Sequence, residues 1–178
     1  AFAVAMACKA SDVPFTAVLG VSNIVGSTGQ HDWAQFQRQA VNHAAEVIEV
    51  HGSVRRVMCW SCGLRTPMEE ALARVRAGED DPACTACGGI LKSDTISFGQ
   101  ALVPEVIARA MQRASEADLL LAIGSTLSVY PVAGVVPCAK DAGARVVIIN
   151  DQPTPFDAIA DAVLRGPIGT LLPALCGT

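Results

Sequence analysis

Aromatic side chains are scarce, with one Tyr, two Trp and five Phe making up 4% of the 178 residues, and charged residues contribute only 17%. Since 51% of the chain is still hydrophobic, that mass is Ala, Val, Leu and Ile, the composition of helices wrapped on a buried sheet, and disorder is excluded. No apolar run reaches the ~18 residues that cross a bilayer. Excess basic charge is missing as well. The 13 Lys and Arg set against 17 Asp and Glu leave a net charge of −4, which argues against a nucleic-acid partner, because phosphate binding needs a basic field. A Gly-x-Gly-x-x-Gly fingerprint is also lacking. The apolar opening, Ala1 to Cys8, has neither the basic stretch of a signal peptide nor an initiating Met, and reads as a core segment of a chain whose true start is missing.

What is present begins with cysteine. Of seven, Cys8, Cys138 and Cys176 are scattered, whereas Cys59, Cys62, Cys84 and Cys87 form two C-x-x-C pairs separated by 21 residues. An odd total and paired spacing suit a reducing compartment, the cytoplasm, and a metal rather than a disulfide framework. Each pair sets two thiolates on one side of a tight turn, and together they offer four soft ligands with no open position, the donor set of structural zinc. Arg55, Arg56, Arg65 and Lys92 lie near in sequence and are expected to offset the thiolate charge. Between the pairs, Thr66-Pro67-Met68-Glu69 has the form of a capping box with Pro at the first helical position, opening a short helix that Gly78 ends.

The C-terminal half reads as alternating strands and helices. A helix opens at Pro104 and is expected to bury Val106, Ile107, Ala110, Met111 and Ala114. The all-apolar Leu119–Ile123 predicts a central parallel strand covered on both faces. A helix over Pro131–Asp141, a strand over Arg145–Asn150, a short strand over Ala162–Arg165 and a closing helix over Pro167–Leu175 follow. In such β-α-β-α-β sheets ligands sit beyond the carboxyl ends of the strands, here Gly124-Ser125-Thr126-Leu127-Ser128 and Asn150-Asp151-Gln152. Taken singly, both segments also read as ordinary turns.

In order along the chain stand Val47-Ile48-Glu49-Val50-His51-Gly52-Ser53, the two C-x-x-C pairs, Ile96-Ser97-Phe98-Gly99-Gln100, Ala117–Leu121, Gly124 to Pro131 and Ile148-Ile149-Asn150. This series resembles the sirtuin family of NAD-dependent protein deacylases from about Glu46 onward. The resemblance implies an α/β fold, a Rossmann-like parallel sheet with an inserted small zinc-ribbon module. It divides the chain into an NAD-binding domain over 1–52 and 94–178, incomplete in its N-terminal half, and a zinc module over 53–93. NAD and zinc are the cofactors it implies, and acyl-lysine proteins or peptides the partners.

By the same resemblance His51 is the general base, neutral near pH 7, that helps remove a ribose hydroxyl proton after the acyl oxygen has displaced nicotinamide. The products would be free lysine, nicotinamide and an acyl-ADP-ribose ester. Phe98, Gly99, Ser128 and Val129 would hold the substrate strand by backbone pairing. Gly124, Ser125 and Thr126 would meet the cofactor phosphates and ribose, and Asn150 with Asp151 the adenosine ribose. Gln100 stands where the family usually has Glu.

Upstream the likeness thins. Phe15 to Ser22 resembles a buried strand running into the last part of the family's phosphate loop, which would make Gly20 and Ser22 cofactor contacts. Gln39 to His43 only echoes the nicotinamide-pocket strand. Fifty residues before His51 are too few for all the strands a complete sirtuin places there. This predicts either a reduced protein or cofactor loops missing from the sequence, and joins such as Leu19 to Asn23 favour the second. The alternative function is a non-catalytic, sirtuin-like zinc and peptide-binding protein.

Overall fold

The structure, a computed structural model, describes residues 16–19 and 46–176. Ala1 to Cys8, Gly20, Ser22 and Gln39 to His43 lie outside the described residues. The chain divides into two compact units, one of them His51–Leu102 and the other containing the strands before His51 together with everything from Val103 on. No described helix is long and apolar enough to cross a membrane.

In the first unit β1 (Thr16–Leu19) pairs in parallel with β2 (Glu46–Glu49), Thr16 opposite Glu46 and Leu19 opposite Glu49. The second unit is built on β3 (Gly52–Cys59), which pairs antiparallel with β4 (Arg65–Pro67) on one side and, across a bulge between Ser53 and Val57, with β5 (Leu91–Thr95) on the other. Helix α1 (Met68–Arg76) follows β4. The expected capping box does not form. Thr66 is held extended in the ladder opposite Val57, so Pro67 becomes the N-cap residue with no side-chain cap bond, and Glu69 pairs with Arg76 instead. The helix ends where expected, with the Gly78 N–H donating to the Val75 carbonyl at 2.9 Å.

The first unit resumes with α2 (Pro104–Ser115), which carries Pro in its first turn, Glu105 near its N-terminus and Arg113 near its C-terminus, a charge order that suits the helix dipole. Ala110 is buried with Ile48 and Val50 of the β2 end, and Val106 and Ile107 pack alongside. Ala114 meets Ala139 of α3 (Val135–Asp141) and Ala144, small side chains that let the two helices approach closely. The parallel sheet is β6 (Leu119–Ile123), β7 (Arg145–Ile149) and β8 (Ala162–Leu164), with β7 in the centre, and α4 (Ile168–Cys176) closes the chain.

Val146, Ile148 and Ile149 of β7 are essentially inaccessible to solvent, each stabilising the fold by roughly 1.5–3 kcal/mol. The expectation that β6 is covered on both faces is corrected. Leu119 and Leu121, two apart and so on one face of the strand, are 49% and 39% exposed, and β6 is an edge strand among the described residues, paired with β7 alone.

Candidate functional site

The four cysteines of the two pairs converge. Their sulfurs all lie within 4.8 Å of one another, with Cys59 Sγ 3.5 Å from Cys87 Sγ and Cys62 Sγ 3.7 Å from Cys84 Sγ. A zinc ion bound by four thiolates at about 2.3 Å in a tetrahedron requires sulfurs about 3.8 Å apart, so the set fits the metal. The two turns are built alike. Gly63 N–H donates to the Cys59 carbonyl at 2.9 Å, and Gly88 N–H to that of Cys84 at 2.8 Å.

The surroundings drive two of the thiols in opposite directions. The Cys62 N–H above all, then that of Ser61 and the neighbouring thiols, bring Cys59 down to about 6 against the effect of burial. Crowding by Cys62, Cys59 and Cys84 outweighs the opposing Gly89 N–H and pushes Cys87 up to about 12. Ionising all four thiols at these separations sets like charges against one another, a repulsion that a bound cation relieves. Gly89 matters for space, since a Cβ there would lie 2.6 Å from Ser61 Oγ and 3.0 Å from Cys59 Sγ.

Three of the four basic side chains expected to balance the thiolates, Arg56, Arg65 and Lys92, are engaged elsewhere. Arg56 Nε and Arg65 Nε reach the buried Asp94 carboxylate at 3.1 and 3.0 Å, and Lys92 donates to the Thr95 carbonyl while lying 5.6 Å from the Trp60 ring centre. Asp94 also shapes the start of β3. A Cβ on Gly52, which has φ of 73°, would fall 2.1 Å from the Asp94 carbonyl oxygen, so only Gly can follow His51. Gly52→Ala is expected to cost about 1–3 kcal/mol of unfolding free energy, measured by urea titration, because no rotamer relieves a clash between backbone atoms.

His51 is half-buried in the turn that leaves β2, and its carbonyl accepts the Ile96 N–H at 2.8 Å. Burial lowers its imidazole pKa from 6.5, favouring the neutral base. Its Nδ1 is buried and has no hydrogen-bond partner among the described residues. Beyond β5, Gln100 Oε1 accepts the Ser97 N–H at 2.8 Å and closes a turn that leaves Phe98 86% exposed. A carboxylate at position 100 could accept the same bond.

The segments at the carboxyl edge of the sheet lie side by side. Ile123 is in register with Ile149, and the Gly124 N–H donates to the Ile149 carbonyl at 2.9 Å. Gly124 and the first residue after β7, Asn150, are thus adjacent. Ser125 Oγ accepts the Leu127 N–H at 3.2 Å, and the Thr126 and Ser128 hydroxyls bond each other at 2.8 Å.

Leu127 adopts φ of 51°, unusual for a side chain with a Cβ, while packing into the core with Val136, Val146 and Ile148. Sequence reasoning passed over it, since nothing in its type signals the left-handed conformation. Arg165, just after β8, was also passed over, although a lone Arg closing an apolar strand is a signal. It donates to the carbonyls of Asn150 and Gln152. Ser128 and Val129 belong to the first unit, and Phe98 and Gly99 to the second.

Parallel strands covered by helices, with a four-cysteine ribbon inserted in the chain, define the class: a Rossmann-like α/β protein carrying a zinc-ribbon module. Residues 35–131 match the Sir2 family, and the chain belongs to it. It is 47% identical over 132 residues to NAD-dependent protein deacetylase 2 of Streptomyces coelicolor, covering 74% of this chain and 55% of that protein. With an NAD-dependent protein deacetylase of Rhodopseudomonas palustris it shares 36% over 177 residues, 98% of this chain and 64% of the relative. A solved structure of Sir2 with a p53 peptide and NAD+ superimposes with a TM-score of 0.66 at 29% identity, over 74% of this chain and 54% of that one. The chain thus spans somewhat over half the length of these relatives.

Proposed function

We propose that the protein is an NAD-dependent protein-lysine deacylase in which His51 is the general base. The observation that carries this reading is the imidazole itself: it is half-buried, biased to the neutral form, and has a buried Nδ1 without a partner among the described residues. A buried ring nitrogen left unpaired is costly unless a ligand supplies the missing bond. The names of the relatives, NAD-dependent protein deacetylases, support the same assignment.

NAD, when bound, supplies an anomeric carbon with nicotinamide as leaving group. The residues of this chain bind, orient and move a proton. His51 accepts a ribose hydroxyl proton. Gly124, whose own N–H is taken by the Ile149 carbonyl, lies against the phosphates and ribose beside the hydroxyls of Ser125 and Thr126, and Asn150 and Asp151 hold the adenosine ribose. Gly20 and Ser22 are assigned to the same cofactor. Phe98, Gly99, Ser128 and Val129 pair with the backbone of an acyl-lysine peptide, a mode that reads main chain before sequence, and the exposure of Phe98 suits a surface that awaits a partner. Cys59, Cys62, Cys84 and Cys87 hold zinc as a structural metal in the module over 53–93, while 1–52 and 94–178 form the NAD-binding domain. The four metal-binding thiolates support a cytoplasmic location, where thiols stay reduced.

The test is incubation of the full-length protein with an acetyl-lysine peptide and NAD. Deacetylated peptide and nicotinamide in equal amounts are expected, and binding of peptide and zinc without turnover would establish the non-catalytic alternative. The pH dependence follows from the direction of the His51 shift. Because the neutral imidazole is the working form and burial lowers its pKa, kcat/KM should fall on acidification with a midpoint below 6.5. A midpoint above 6.5 would contradict the assignment of that limb to His51.

A further inference from the structure

The loop after β7 is tied down by one side chain from the neighbouring strand. Arg165 Nη1 donates to the Asn150 carbonyl at 3.0 Å and to the Gln152 carbonyl at 2.8 Å. The Asn150 side-chain amide donates to that same Gln152 carbonyl at 2.8 Å. Nη2 of Arg165 pairs with Asp157 Oδ2, and the Asp157 carboxylate in turn accepts the Thr154 N–H at 3.1 Å and the Thr154 hydroxyl at 2.7 Å. The guanidinium thus joins the start of the loop to its end.

Asp151 sits between the two clamped carbonyls, yet its side chain takes no part in the network and is exposed. A fork that fixes the backbone on both sides of one exposed carboxylate holds that carboxylate out for something else. Lysine could not replace it, because a single ammonium lacks the planar set of donors that spans two carbonyls and a carboxylate.

Resting on the assignment of Asn150 and Asp151 to the adenosine ribose, we propose that Arg165 is a positioning residue for NAD, clamping the 150 and 152 carbonyls so that Asp151 is presented to the ribose hydroxyls. Its loss lowers the fraction of loops in the competent geometry, and apparent affinity falls by that fraction. Chemistry at the nicotinamide end is untouched once the cofactor is bound.

The experiment titrates ADP-ribose calorimetrically into the full-length protein and its Arg165→Gln, Arg165→Lys, Asp151→Ala and Arg165→Gln/Asp151→Ala variants, with NAD kinetics in parallel. Both Arg165 variants should raise the Kd for ADP-ribose and the KM for NAD about tenfold, with kcat at saturating NAD unchanged. In the Asp151→Ala background Arg165→Gln should add less than about a twofold further loss, because both changes remove the same contact. Should Arg165→Gln fail to fold, Arg165→Lys keeps a cation opposite Asp157 and decides the matter. Wild-type affinity in the Arg165 variants, equal loss with and without Asp151, or a fall in kcat rather than a rise in KM overturns the positioning role. Undiminished ADP-ribose binding by Asp151→Ala, or none by the unaltered protein, overturns the ribose assignment itself.

Discussion

His51→Tyr is expected to abolish the proposed deacylation while leaving the fold and zinc content intact. Loss of a general base alone lowers turnover by about 10²- to 10⁴-fold, and the loss here should exceed that range because, on the proposed assignment, the same side chain also orients the ribose. The fold should survive because His51 is only half-buried, its Nδ1 makes no hydrogen bond among the described residues, and the bond that anchors the turn is accepted by its backbone carbonyl. Initial rates with acetyl-lysine peptide and NAD, with circular dichroism and metal content as controls, provide the measurement. Turnover within tenfold of the unaltered protein would remove His51 from the chemistry.

Removal of zinc is the second large effect, and it falls on one unit. Between His51 and Leu102 the only buried apolar side chains are Val57, Cys59 and Cys84, and α1 buries none of its residues. So small a core cannot offset the ordering entropy of fifty-odd residues, and metal binding must supply the difference. Structural zinc contributes on the order of 10–16 kcal/mol in small zinc-dependent peptides.

Cys59→Ser or a strong chelator should therefore strip amide protection from β3, β4 and β5 while β6 and β7 retain theirs, as read by hydrogen exchange with mass spectrometry. Uniform protection in the metal-free protein would show that the ribbon folds without zinc. Gly89→Ala, which crowds Ser61 and Cys59, should lower zinc occupancy in the same direction.

How far the sequence led depends on whether a feature is local. The cysteine pairs were legible because tetrahedral thiolate ligation imposes its own spacing, and the β6, β7 and β8 runs because apolar strands are cut off by Gly and Asn. Pro104 and Gly78 marked a helix start and a helix end through backbone chemistry that does not depend on neighbours.

Features set by partners distant in sequence were not legible. Thr66 reads as a cap until β3 claims its backbone, and Arg56 and Arg65 read as thiolate counterions until the buried Asp94 takes them. The run Leu119–Ile123 reads as buried on both faces, since hydrophobicity alone cannot report that the face bearing Leu119 and Leu121 is left uncovered among the described residues. The roles assigned to His51, Phe98 and Asn150 came from the order of the whole motif series, which no single motif could carry.

The most direct test of the central claim follows an oxygen atom. An acetyl-lysine peptide labelled with ¹⁸O in the acetyl carbonyl is turned over with NAD by the full-length protein, the acyl-ADP-ribose ester is cleaved, and the ADP-ribose and acetate are weighed by mass spectrometry. If the acyl oxygen attacks the anomeric carbon, the label is recovered in ADP-ribose and the acetate is unlabelled. Label remaining in the acetate, with NAD unconsumed, would mean simple hydrolysis of the amide and would contradict the account.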